Sequence, residues 1–155
     1  MCLEEILGGL ESLNIFKGIF RGYAFYVTNE RIIGAKMKGK GKELFKFLMG
    51  WRGSVKKSLK PFEWRGKSVK IPKLSGEDAF NLLEDLKERI DFEVRKHEIQ
   101  EVELKKPGIL RSGHVKIKTI TGKEYKVGIV AGCKEEYEYL KEILQELCSE
   151  KIKIK

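Results

Sequence analysis

"YAFYVTNERIIGAK", Tyr23 to Lys36, reads as two strands joined by a tight turn. Tyr23–Thr28 is dense in aromatic and β-branched side chains, which pack well on a pleated surface. Thr28-Asn29-Glu30 supplies the turn, with Asn29 as the residue that tolerates a left-handed backbone. Arg31–Met37 returns as the partner strand. Upstream, residues 3–9 read as a short helix or an irregular lead-in closed by Gly8-Gly9. Ser12–Phe20, "SLNIFKGIF", carries apolar side chains at both parities and reads as one strand buried on much of both faces.

Downstream, "LSGEDAFNLLEDLKERI" predicts an amphipathic helix, with Ser75 as N-cap and Glu77 and Asp78 suited to the positive helix start. Its apolar stripe is Ala79, Phe80, Leu83, Leu86 and Ile90. Strands follow in "DFEVRKHEIQEVELKK", "GHVKIKTITG" and "KEYKVGIVAG". Val115, Ile117 and Thr119 alternate with polar neighbours, as do Tyr125, Val127 and Ile129. Thr121-Gly122 marks a tight hairpin, and Pro107-Gly108 breaks the chain before Ile109. A last helix, about 134–149, presents Tyr137, Leu140, Ile143, Leu144 and Leu147 on one face, with Glu135 and Glu136 at its start. The tail "KIKIK" alternates too, as a strand or a frayed end.

The order is a meander, a basic insertion (about 39–90) with its own helix, a second meander and a closing helix. The predicted fold class is α+β, mainly antiparallel β: one domain over 1–155, a curved sheet or partial barrel capped by the C-terminal helix. "YVTNERIIG", then "FEVRKHEIQEVELKKPG" and "GKEYKVGI" before a final helix, resembles the prokaryotic PH-like domains, relatives of the GRAM and pleckstrin-homology superfold. The likeness spans roughly residues 12–38 and 91–148, with Ile99 and Val102 at the matching spacing of the second motif. It implies a binding scaffold without catalytic residues, whose partners are anionic lipid headgroups or acidic protein. The basic insertion departs from the simplest family pattern.

Apolar content of 41% and charged content of 35% belong to a globular chain. No apolar run approaches the roughly 18 to 20 residues that span a bilayer. Glu4 and Glu5 stand where a signal peptide carries positive charge, so the expected location is the cytoplasm, peripheral at the membrane. Cys2, Cys133 and Cys148 are odd in number and widely spaced, which points to reduced thiols. Two Gln and three Asn against abundant Lys and Glu fit a protein from a hot environment and an AT-rich genome equally.

Catalytic groups are hard to assemble from this chain, and neither a metal nor a cofactor is expected. His97 and His114 have no cysteine at ligand spacing and read as exposed surface residues. Cys133 stands at a helix start without an identifiable base, and Cys148 falls on a buried stripe. "KMKGKGKE" lacks the spacing of a P-loop. "KKPGILRSG" is a turn flanked by positive charge, able to hold phosphate through backbone amides but more simply a solvated loop. Glu84 with Glu88, and Glu142 with Glu146, sit on solvent faces of helices.

Charge distribution is the one positive signal. Lys36–Lys73 holds 13 Lys and Arg against Glu43 and Glu63, whereas the rest of the chain has 19 basic and 21 acidic residues. Lys56, Lys57, Lys60, Arg65, Lys67 and Lys70 are the candidate anion-binding residues, since their fields add. Phe45, Phe47, Trp51 and Trp64 are candidate apolar contacts. Large apolar side chains bordered by cations suit a membrane interface. They also suit nucleic acid, where aromatics stack and cations neutralise phosphate. Packing of Phe45, Leu48 and Trp51 on the barrel, with the lysines as a solvated rim, is the plainer account. The expectation is therefore a non-catalytic module for an anionic membrane surface or acidic protein. Non-specific nucleic-acid binding is the alternative, and a homo-oligomer would also accommodate the apolar patch.

Overall fold

The structure, a computed structural model, describes residues 4–37, 63–65 and 68–155. Its elements in chain order are β1 (Ile6–Lys17), β2 (Phe20–Thr28), β3 (Arg31–Lys36), β4 (Glu63–Arg65), β5 (Ser68–Ile71) and α1 (Gly76–Lys87). There follow β6 (Ile90–Arg95), β7 (Ile99–Lys105), β8 (Gly113–Thr119), β9 (Glu124–Ile129), α2 (Lys134–Cys148) and β10 (Ile152–Ile154). The sheet runs β10-β7-β8-β9-β1-β2-β3-β6, with β5 and then β4 branching from β1. It is an open, curved and mainly antiparallel sheet in an α+β chain.

The β2–β3 hairpin forms as expected, with Tyr26 opposite Ile33 and Val27 opposite Ile32. Its turn works differently. Asn29 keeps a negative φ. The Thr28 hydroxyl instead accepts the amides of Glu30 (3.1 Å) and Arg31 (2.9 Å). Asn29 Oδ1 accepts the Glu5 amide at 2.9 Å, tying the turn to the chain entering β1.

β2 has both faces covered, which explains its near-continuous apolar run. Tyr23, Phe25 and Val27 join the core under α2, with Leu10, Ile15, Ile99, Val115, Leu140 and Leu144. Ala24 and Tyr26 join a second core under α1, with Ile33, Val69, Ile71, Leu82 and Leu86. The helix that follows the basic stretch thus packs on the same sheet.

Several sequence expectations are corrected. Residues 6–9 belong to β1 rather than to a helix, and the expected Ser12–Phe20 strand breaks at Gly18 (φ 62°) so that Phe20 opens β2. Phe80 is 61% exposed, and Leu82 takes its place on the buried face of α1. Ile90 begins β6, and Ser75 occupies the N-cap position without a side-chain capping bond. The tail is a strand, with Ile152 beside Val102 in a parallel pair.

Three strand glycines face aromatic rings across the sheet. A Cβ at Gly9 would lie 2.3 Å from the Tyr26 ring, at Gly34 2.1 Å from Phe92 and at Gly128 2.2 Å from Phe16. Each is the registered partner of that aromatic residue. The missing side chain lets the ring lie flat on the neighbouring backbone, a reason for Gly inside a strand.

Candidate anion-binding surface

β1 is forked. Along one edge it pairs with β5 from Gly9 to Ser12, then with β9 at Ile15 and Phe16. The backbone between would be left without a ladder, and α2 fills the gap with its first turn. Glu136, 7% exposed, accepts hydrogen bonds from Asn14 Nδ2 (2.8 Å) and the Ser68 hydroxyl (3.1 Å). Ser12 and Ser68 hydroxyls are 2.5 Å apart, and Ser12 Oγ accepts the Asn14 amide at 2.8 Å. The Val130 amide donates to Asn14 O at 2.9 Å. The fork is thus closed by a polar cluster in which a buried carboxylate has two side-chain donors and sits at a helix start, where negative charge is favoured.

The basic stretch enters and leaves along the same row of the sheet. Lys36 pairs with Tyr23, Tyr23 with Ser12, and Ser12 with Ser68. Beyond Ser68, Arg65 is its partner on β4. Lys70 is half-buried on β5, with Nζ 5.6 Å from the centre of the Tyr139 ring. Burial pushes the Tyr139 phenol up to about 12, so it stays a donor, to Ile71 O.

A second polar group stands by the β1–β2 turn. Lys17 Nζ is 2.6 Å from Asp91 Oδ2, and the Tyr23 hydroxyl donates to the same oxygen at 2.7 Å. The hydrogen bonds from Lys17 and Tyr23 hold Asp91 below the usual carboxylate range, while burial and Asp91 raise Tyr23. Lys17 also lies 5.1 Å from the Phe92 ring centre and 5.9 Å from that of Tyr125. Those two rings are stacked at 4.6 Å.

Under α1, fully buried Glu11 accepts from Arg89, with Nη1 3.1 Å from Oε1, and from the Tyr26 hydroxyl. Arg89 also holds Asp85 at 2.9 Å and Lys36 O at 2.8 Å. Burial alone would pull the guanidinium down, but Glu11 leaves it raised overall. These four carboxylates (Glu11, Asp91, Glu136 and, on β7, Glu103) are engaged by internal partners. Among the described residues no three His, Cys, Asp or Glu side chains are placed to hold a metal ion.

Of the residues expected to bind anions, Lys70 lies as just described. Arg65 and Trp64 are placed on β4 by backbone alone. Lys56, Lys57, Lys60, Lys67, Phe45, Phe47 and Trp51 fall outside the described residues. His97 is exposed, as expected. His114 is not: it is half-buried, its Nε2–H donating to Glu103 at 2.7 Å. Cys133 is half-buried at the N-cap of α2, and Cys148 is buried, its thiol pushed up to about 11 by burial. Glu84 and Glu146 carry exposed ion pairs to Lys87 (2.6 Å) and Lys73 (2.9 Å).

Glu11, Ser12, Asn14 and Glu136 were missed by sequence reasoning, because their partners lie far away along the chain. The exposed Ile109-Leu110 pair was missed too, although two aliphatic residues inside a Pro-Gly turn, where polar side chains are the rule, are a signal for it. Comparison with protein-family models, with curated proteins and with solved structures finds no match to this chain.

Proposed function

We propose that this chain is a non-catalytic binding module of PH-like architecture, presenting a basic surface to an anionic partner, with acidic lipid headgroups the favoured class. The observation that carries it is the segregation of charge. A surplus of 11 positive charges lies in residues 36–73, spliced into a sheet whose buried carboxylates are engaged internally. In support of the PH-like reading, the β2–β3 hairpin and β7–β9 form at the residues that carry the resemblance, and the last helix lies across them. No helix among the described residues is long and apolar enough to cross a membrane.

Each cation close to an anionic bilayer contributes about 1 kcal/mol at low salt. Lys56, Lys57, Lys60, Arg65, Lys67 and Lys70 acting together make binding steeply salt-dependent. The test compares co-sedimentation with anionic and neutral vesicles, beside mobility shifts on DNA and RNA across a salt series. Anionic vesicles are expected to retain the protein and neutral ones to release it. Substituting Glu at Lys56, Lys57 and Lys60 is expected to abolish retention with an unchanged circular dichroism spectrum. A triple variant that binds as the parent does would reduce the stretch to a solvated face. Preference for nucleic acid over vesicles would replace the lipid reading, since aromatics among lysines also stack on bases.

A further inference from the structure

Between β7 and β8 the chain turns through residues 106–112 and carries two adjacent aliphatic side chains at the tip. Ile109 is 87% exposed and Leu110 92%. Their exposure is built into the backbone. Pro107 is buried, and the Gly108 amide donates to Arg111 O at 2.9 Å to close the turn. The Gly132 amide donates to Gly108 O at 2.8 Å, clamping the loop to the chain that leaves β9. At the base of the loop a Cβ on Gly113 would meet Lys105 O at 2.2 Å, so the two strands close tightly there.

Lys105, Lys106 and Arg111 surround the tip, all exposed, and residues 105–113 contain no carboxylate. Among the described residues none of these three cations joins an ion pair. Their neighbours on the strands do, as Lys118 with Glu101 and Lys155 with Glu103. An aliphatic tip ringed by unpaired cations matches a bilayer interface, whose acyl boundary takes the apolar groups while phosphates take the charge.

We propose that the β7–β8 loop is the segment that enters an anionic bilayer, with Ile109 and Leu110 in the acyl boundary and Lys105, Lys106 and Arg111 at the headgroups. The proposal rests on the anionic-partner reading above and selects the bilayer as the partner. A two-residue convex tip is too small for a stable protein interface, which needs about 800 Å² on each side. It also offers no aromatic face for a base to stack on. The location agrees with that of Lys70. β5, which carries Lys70, joins β1 at Ser12, and β9 joins it at Ile15, so the return of the stretch and the anchor of the loop flank one point.

The exposed Ile19, at 93%, provides a control. From Ile15 opposite Ile129, β1 passes to Phe16 opposite Gly128, so it heads away from Gly113 as it approaches the Gly18-Ile19 turn. Ile19 has no place in the proposed anchor and tests whether any exposed aliphatic side chain would serve.

The experiment uses the full chain with phosphatidylcholine vesicles, with and without phosphatidylserine. Ile109→Asp with Leu110→Asp is expected to weaken partition into the anionic vesicles by about tenfold or more. Ile19→Asp should partition as the parent does. All variants should unfold at the parent temperature, because these side chains touch no core. A milder Ile109→Ala with Leu110→Ala variant, expected to show an intermediate loss, covers the case in which the aspartates disturb the turn. Parent-like partition of both double variants would overturn this inference and leave the anionic-partner reading intact. So would loss of binding through Ile19→Asp alone. A parent chain that ignores anionic vesicles would overturn both.

Discussion

Glu103 shows how a residue can be plain in the sequence and opaque in its role. It stands on β7 between Val102 and Leu104, where period-2 alternation reads it as the polar side of a strand. In the structure it is 6% exposed, with His114 at 2.7 Å and the Lys155 ammonium at 3.4 Å. The hydrogen bond from His114 and then Lys155 outweigh burial, holding its carboxyl near 2 instead of about 4.5. The ionised form is therefore favoured in the folded chain. Its contribution is fully present above the unfolded value of about 4.5 and is lost as pH falls toward about 2. Glu103→Gln should cost stability at neutral pH, and the gap to the parent should close through that window. Unfolding in urea at a series of pH values measures it; a gap that stays constant from pH 6 to pH 2 would show that Glu103 is not held by these partners.

At the scale of elements, strand type and helix position were legible from periodicity, whereas the choice of face was not. In α1 the buried face is Ala79, Leu82, Leu83 and Leu86, at i, i+3, i+4 and i+7, and Phe80, one position from Ala79, lies off it and is exposed. The glycine–aromatic pairs are likewise a property of register: Gly34 is unremarkable until Phe92, 58 positions later, lies across it on β6. Gly34→Ala would place a methyl group 2.1 Å from the Phe92 ring, inside the sheet where neither backbone can yield. The expected loss is about 1–3 kcal/mol, the usual cost of overpacking, read from the urea midpoint at unchanged slope. Gly18→Ala adds a side chain into open space and tests only the positive φ of the turn, so its loss should be smaller.

Over the whole molecule, the sheet and the basic stretch are separable claims. The chain leaves the described sheet after β3 and re-enters it at β4 and β5, where Val69 and Ile71 join the core under α1. From β3 to β4 the sheet crosses four strand spacings, about 19 Å, which a flexible linker of about 12 residues spans with slack. Replacing residues 38–62 by such a linker should leave a cooperatively unfolding protein with the parent's β-rich circular dichroism, while most of the salt-dependent retention on anionic vesicles disappears. Loss of folding would show that the stretch belongs to the core. What the sequence by itself determined is what depends on near neighbours: the two meanders, both helices, the turn at Gly122 and the charge surplus of residues 36–73. The fork of β1, the second core under α1, the parallel β10 and the Glu11–Arg89 and Glu136–Ser68 ties were decided only in three dimensions. Each requires groups 50 or more positions apart to meet, as in Arg89 with Glu11 at a separation of 78. Local propensity carries no record of such partners; burial supplies them, because a polar group removed from water must find its hydrogen bonds wherever the fold brings a donor.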